Sequence, residues 1–131
     1  MRSGNSKFWG KTLPFNAVAK VPVNAATEAP NAPAIIEVGG RSVSRGEIAQ
    51  RARAVASGFA QAGLTADDRV LFAIRPGVDA VALMVGIAEA GGVIVAAPLG
   101  AGDTVFDAQM KLAAPRWVVA ESALIAAGHT G

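Results

Sequence analysis

Cysteine is absent from the 131 residues, which excludes disulfides, thiolate nucleophiles and sulfur-bound metals and fits a reducing, cytoplasmic setting. Tyrosine is absent as well, and aromatic residues make up only 5% of the chain. His129, the single histidine, sits in a Gly-His-Thr-Gly ending with no acid or serine placed to orient it, so a frayed terminus explains it better than a general base. Charge of one sign is scarce. Twelve Lys and Arg against ten Asp and Glu leave a formal net charge of +2, too little to mark a nucleic acid or an anionic membrane as partner. Long apolar runs are also missing. Lys7, Lys11, Pro14 and Lys20 break up the first residues where a secretory signal would need continuity, and Asp79 and Glu89 interrupt the most apolar stretch. The expectation is a soluble, cytoplasmic chain with no transmembrane segment and no nucleic-acid partner.

What is present is hydrophobic and small. Hydrophobic residues reach 52%, with Ala, Val and Gly prominent, a composition suited to helices packed closely on a sheet. A chain of this size buries roughly two thirds of its unfolded surface, enough for a real core. Residues 1–33 hold Pro14, Pro22, Pro30 and Pro33 and no sustained period, so they read as an extended amino-terminal arm. Ala34 to Val38 and Arg41 to Ser44 read as short strands, with Gly39-Gly40 between them able to supply a primed hairpin turn.

Ser44-Arg45-Gly46-Glu47 has the spacing of a capping box, in which serine and glutamate side chains satisfy each other's backbone amides. Ile48, Ala52, Val55, Phe59 and Ala62 then recur at helical intervals and Gly63 can close the helix in a left-handed conformation. Arg69 to Ile74 reads as a strand covered on both faces. Val78 to Ala90 reads as a helix apolar almost all round, Val93 to Ala97 as a strand, and Asp103 or Thr104 to about Ala113 as a helix capped by one of those two residues. Arg116 to Ala120 returns to strand. The fold class expected is α/β: a hairpin followed by alternating helices and mostly parallel strands joined by right-handed crossovers.

Candidate chemistry is sparse. Gly91-Gly92 and Gly100-Ala101-Gly102 suit caps and turns; a dinucleotide fingerprint opening at Gly100 would need glycine where Val105 stands, and no P-loop Lys-Ser/Thr pair occurs. Asp67, Asp68, Asp103 and Asp107 form no metal or paired-carboxylate pattern. Arg45, Arg51 and Arg53 fall on the wet face of the first long helix. Arg75 follows a strand end, where α/β proteins bind ligands, although a surface role accounts for it as well.

The order of segments says more than any one residue. Pro33-Ala-Ile-Ile-Glu-Val-Gly-Gly-Arg-Ser-Val-Ser44, the capped helix, Gly63-Leu64, Asp67-Asp68-Arg69-Val70, Ile87-Ala-Glu-Ala-Gly-Gly-Val93 and Ala114-Pro115-Arg116-Trp117-Val118 resemble the early region of AMP-forming acyl-CoA synthetases and their adenylating relatives. The similarity runs from about Ala32 to Leu124, departing at Ala97-Pro98-Leu99-Gly100, where close relatives often read Asp-Pro-Gly. Beyond the arm over 1–33, the resemblance implies, over 34–131, a partial amino-terminal subdomain that stops before the catalytic motifs. It implies a parent ligase that uses ATP, Mg and coenzyme A to activate a carboxylic acid, with fatty acids the favoured class. The family's Ser/Thr/Gly-rich loop ending in Pro-Lys, its later aromatic and Thr-Glu motif, its ribose-binding Asp and its carboxyl-terminal Lys are all absent here. The chain is accordingly expected to hold no cofactor itself, to be inactive alone, and to associate with the remainder of the ligase or with itself. No catalytic or metal-ligating residue is assigned, and cofactor-binding residues stay unassigned. The competing readings are an independent nucleotide-binding module of Rossmann or flavodoxin type and a noncatalytic interaction module.

Overall fold

In a computed structural model of the chain, residues 5–8, 11–14 and 24–121 are described. Strands β1 (Asn5–Phe8) and β2 (Lys11–Pro14) pair antiparallel, Asn5 opposite Pro14. Residues 24–28 are helical. The stretch read as an extended arm therefore carries local structure, in runs of four or five residues too short for a period to register. Its end is tied to the start of the first long helix, because the amides of Arg45 and Gly46 donate to the carbonyls of Ala32 (2.9 Å) and Pro30 (2.8 Å).

Strands β3 (Pro33–Ile36) and β4 (Ser42–Ser44) form a second antiparallel pair. The connection is not the primed two-residue turn. The Glu37 amide donates to the Arg41 carbonyl at 3.0 Å, enclosing a three-residue loop in which only Gly39 has a positive φ, 69°. A type I′ turn needs that conformation at both central residues, and Gly40 does not adopt it.

Helix α1 (Arg45–Ala62) begins as its sequence dictates. The Ser44 hydroxyl accepts from the Glu47 amide at 3.2 Å, and the Ser44 amide donates to the Glu47 carboxylate at 2.8 Å. Both halves of the capping box are present, and Gly63 closes the helix at φ 99°. Three parallel strands come next, with β5 (Arg69–Ala73) between β6 (Val93–Ala96) and β7 (Trp117–Ala120). Helix α2 (Val78–Glu89) joins β5 to β6, and α3 (Asp103–Ala113) joins β6 to β7. In register, Val70 stands opposite Ile94 on one side and Trp117 on the other.

Because strand side chains alternate, β5 serves two cores. Val70 and Phe72 pack with Leu64, Ala80 and Ile87 under α1 and α2, while Leu71 and Ala73 pack with Ala97 and are met by Phe106 and Met110 of α3. Reversal of direction between the two crossovers places α2 and α3 on opposite faces, as right-handed connections require. Helices α1 and α2 meet at Gly86, where a Cβ would stand 2.5 Å from Val55 Cβ and 2.7 Å from the Ala52 carbonyl oxygen. The amino end of α2 is capped from outside the helix: Glu37 accepts from the Val78 amide at 3.0 Å, and Val43, Ile48 and Val78 form a small core beneath. At α3 the cap position belongs to Gly102 (φ 86°), with Asp103 inside the first turn, so neither Asp103 nor Thr104 is the cap that its side chain suggested.

Candidate functional site

In an open α/β sheet, the crevice for a ligand lies at the carboxyl ends of neighbouring strands whose outgoing connections leave on opposite faces. Here that place is between β5 and β6. A cleft of about 240 Å³ opens there, lined by Ala73, Ala97, Pro98, Leu99, Gly102 and Phe106 among others. It lies below the size range of ordinary ligand pockets, roughly 300–1,000 Å³. The loop that forms its mouth turns on Gly100 (φ 82°) and Gly102 (φ 86°). The amino end of α3 borders the cleft, but Asp103 occupies its first turn. That carboxylate already offsets the positive end of the helix and would repel a phosphate. The glycines here therefore serve a turn, and the described residues that line this cleft do not fit a triphosphate or its magnesium. Among the described residues no group of three or more His, Cys, Asp or Glu side chains is placed to hold a metal ion.

Arg75 stands at the same carboxyl edge, just beyond β5, and its backbone and guanidinium both grip Glu121, just beyond β7. The contacts run from 2.8 Å (Nη2 to Oε2) to 3.1 Å (Nε to Oε1), with the Arg75 amide donating at 2.9 Å. The hydrogen bonds from Arg75 hold the Glu121 carboxyl below its usual range, and Glu121 in turn raises the guanidinium. The arginine is thus engaged in tying two strand ends together.

The opposite, amino edge of the sheet is far more heavily built. Asp68 Oδ2 accepts from the Thr65 amide (2.9 Å), Arg116 Nη1 (2.8 Å) and Trp117 Nε1 (3.2 Å). The Thr65 amide is the largest cause, followed among the favourable contacts by Trp117 and Arg116, of a carboxyl held down to about 2. Arg69, the next residue, donates through Nε to the Ala113 carbonyl and through Nη2 to the Ala114 carbonyl at 3.3 Å. It caps the carboxyl end of α3, where a cation is favoured. Trp117 stacks edge-on with Phe59 at 5.9 Å, and the Arg116 guanidinium lies 5.8 Å from its ring centre.

The four aspartates therefore separate. Asp68 is a structural acceptor, Asp67 sits in the preceding turn at φ 68°, and Asp103 and Asp107 lie on α3. Arg51 and Arg53 are exposed, as the helical pattern implied, whereas Arg45 at the start of α1 is half-buried, and Arg51 shares Asp79 with Arg41 at 3.4 and 3.5 Å. His129 lies outside the described residues. Sequence reasoning missed the Asp68 clasp, although both of its halves, Asp68-Arg69 and Arg116-Trp117, stood among the segments that carried the resemblance.

The family model described as AMP-binding enzyme matches residues 23–130. This chain belongs to the AMP-binding enzyme family. Its architecture is that of the amino-terminal subdomain of adenylate-forming ligases, and similar solved structures include three of that kind. The fatty acid AMP ligase from Legionella pneumophila is 21% identical, with a TM-score of 0.73 over 86% of this chain and 21% of its own. The amino-terminal subdomain of Klebsiella oxytoca NpsA is 18% identical, with a TM-score of 0.76 over 81% and 27%. The amino-terminal domain of FACL13 from Mycobacterium tuberculosis is 18% identical, with a TM-score of 0.77 over 87% and 30%. This chain thus spans less than a third of each of these three structures. No curated protein matches the sequence. Among the described residues no helix is long and apolar enough to cross a membrane.

Proposed function

We propose that residues 34–131 are part of the amino-terminal subdomain of a ligase that activates a carboxylic acid with ATP and magnesium as an acyl-adenylate and passes the acyl group to coenzyme A. The observation that carries this reading is the family match over 23–130 together with a parallel sheet ordered β6-β5-β7. Fatty acids are the favoured substrate class, supported by the fatty acid AMP ligase among the similar structures. Aryl acids are the competing class, because the NpsA subdomain is also known in complex with anthranilyl-AMSN.

In that setting the residues of this chain build and orient, and the chemistry belongs elsewhere. Asp68, Arg69, Arg116 and Trp117 lock the amino edge of the sheet, which leaves the carboxyl edge with Arg75, Glu121 and the Pro98–Gly102 loop as the rim available to the rest of a ligase. The three arginines among them are taken up by the end of α3, by Glu121 and by Asp68, so the cations and metal ligands that hold phosphate charge and align an in-line attack would come from the rest of the ligase.

The test is the coding frame beyond Gly131 and the activity of its product. A Ser/Thr/Gly-rich segment ending in Pro-Lys is expected, and the longer protein should exchange pyrophosphate into ATP when given a carboxylic acid. Comparison of alkanoic with aromatic acids in that assay decides the substrate class. A frame without that segment, or a longer protein inert with both classes, contradicts the reading and favours a noncatalytic interaction module.

A further inference from the structure

The three-stranded sheet has two outer flanks, along β6 and along β7, and they are finished differently. In a parallel ladder the N–H and C=O of one residue point to the same side, and successive residues alternate. The amides of Val93 and Ala97 donate to Asp68 (2.8 Å) and Phe72 (2.9 Å), so Ile94 and Ala96 turn their backbone groups outward from β6. On β7 the Arg116 amide donates to Arg69 at 3.0 Å, which turns the groups of Trp117 and Val119 outward. No described strand pairs with either flank. Unpaired rows of this kind template pairing with another chain, and on β6 the exposed side chain of Val93 adds an apolar contact to such pairing.

One flank carries a side chain in the place of a neighbouring strand. Gln109 reaches from α3 to β6, where its Nε2 donates to the outward Ala96 carbonyl at 3.3 Å. Phe106 and Met110 of the same helix pack on the sheet and fix the position of Gln109. The other end of its amide, Oε1, is buried and meets no donor among the described residues. A side-chain amide has the donor and acceptor of a peptide unit, so Gln109 fills the place of the next strand's peptide at Ala96. Its acceptor is walled off from any incoming N–H, and a strand can pair there only by evicting it. No described side chain covers the outward groups of Trp117 and Val119 in this way. We infer that Gln109 is a guard residue, whose amide closes the β6 flank to strand pairing and leaves β7 as the flank at which the sheet can be extended. This role stands apart from the ligase reading, since it concerns only which flank of this chain's own sheet accepts another strand.

The test uses the 131-residue chain. Gln109→Met keeps the length of the side chain, loses the donor and removes the unpartnered oxygen, a change that leaves the fold intact. It should form thioflavin-positive, β-rich assemblies at a several-fold lower concentration than wild type. Gln109→Lys, which keeps a donor and adds a charge to the flank, should not. Ile94→Pro removes an outward N–H that no described strand uses, and adding it to Gln109→Met should abolish the gain. Equal assembly by wild type and Gln109→Met overturns the inference. So does a gain that survives Ile94→Pro, because the exposed apolar side chains of α3 would then be driving it. A further measurement needs no variant. The sequence holds three glutamines, Gln50, Gln61 and Gln109, whose side-chain amide protons can be followed separately by NMR. Those of Gln109 should exchange with solvent several-fold more slowly than those of exposed Gln50, and equal rates would show the Gln109 amide free and the β6 flank unguarded.

Discussion

The two ends of the parallel sheet differ in kind. At the amino end, one carboxylate accepts from a turn amide, an arginine and a tryptophan, while the neighbouring arginine closes the last turn of α3. At the carboxyl end, where an α/β fold places its ligands, a single ion pair and a small glycine-turned cleft are found. The residues that made the family recognisable lie largely at the first end. The family signature is thus mainly a signature of assembly, which is why it identifies the fold.

The contrast depends on a common rigid centre, and the largest effect is expected there. Gly86→Val drives a side chain into Val55 and the Ala52 carbonyl, and should lower stability by about 3 kcal/mol, the upper part of the usual range for overpacking. Chemical denaturation with an unchanged slope is the measurement. A loss smaller than that of Ser44→Ala would mean that α1 and α2 can separate cheaply and that the two ends are not held by one body.

Next comes the amino edge itself. Asp68→Ala leaves the Arg116 and Trp117 donors without their acceptor and should lower the melting temperature more than Arg75→Ala does at the carboxyl edge, where the arginine is largely exposed. Acid sharpens the same comparison. A carboxyl depressed to about 2 in the folded chain, against about 4 when unfolded, stabilises fully above the unfolded value and loses that contribution as pH falls through the folded one. Wild type should therefore lose stability relative to Asp68→Asn between roughly pH 4 and pH 2. Parallel acid limbs for the two proteins would show that the clasp does not depend on charge.

Ser44→Ala should cost about 1 kcal/mol, by loss of the acceptor for the Glu47 amide. The smallest effect is expected from Arg75→Ala, which removes an exposed tie, with any loss diminishing in high salt. A large, salt-independent destabilisation there would erase the difference between the two edges.

What could be read from the sequence tracks the range of the interactions. Ser44, Glu47 and Gly63 announce α1 because capping is settled within four residues, and the alternation from Arg69 to Ala120 announces parallel strands because hydrophobic period and length are local as well. The strand order β6-β5-β7 and the Asp68–Arg116 contact, 48 residues apart, depend on tertiary pairing that no window contains. At Gly39-Gly40 the turn-forming residues were legible, but which of the two took the positive φ was decided by backbone geometry, and at α3 the cap fell on Gly102 and not on Asp103 or Thr104. The same holds for the carboxyl-edge site. Arg75 was placed correctly beyond its strand, whereas its partner Glu121 lies 46 residues on and no pattern linked them.

Exposed Leu112 (87%) and Val105 (41%) on α3, together with an open apolar groove between α1 and α2, predict that the 131-residue chain associates at micromolar concentration and binds a dye specific for apolar surface. A compact, dye-silent monomer in light scattering would show that both faces close without further cover.

The central claim is that this chain carries the scaffold of an adenylate-forming ligase without its chemistry. The most direct measurement is pyrophosphate exchange into ATP by the purified 131-residue chain, with magnesium and a panel of alkanoic and aromatic acids. The account predicts no exchange above a control without protein, and exchange that depends on both the chain and the acid would contradict it.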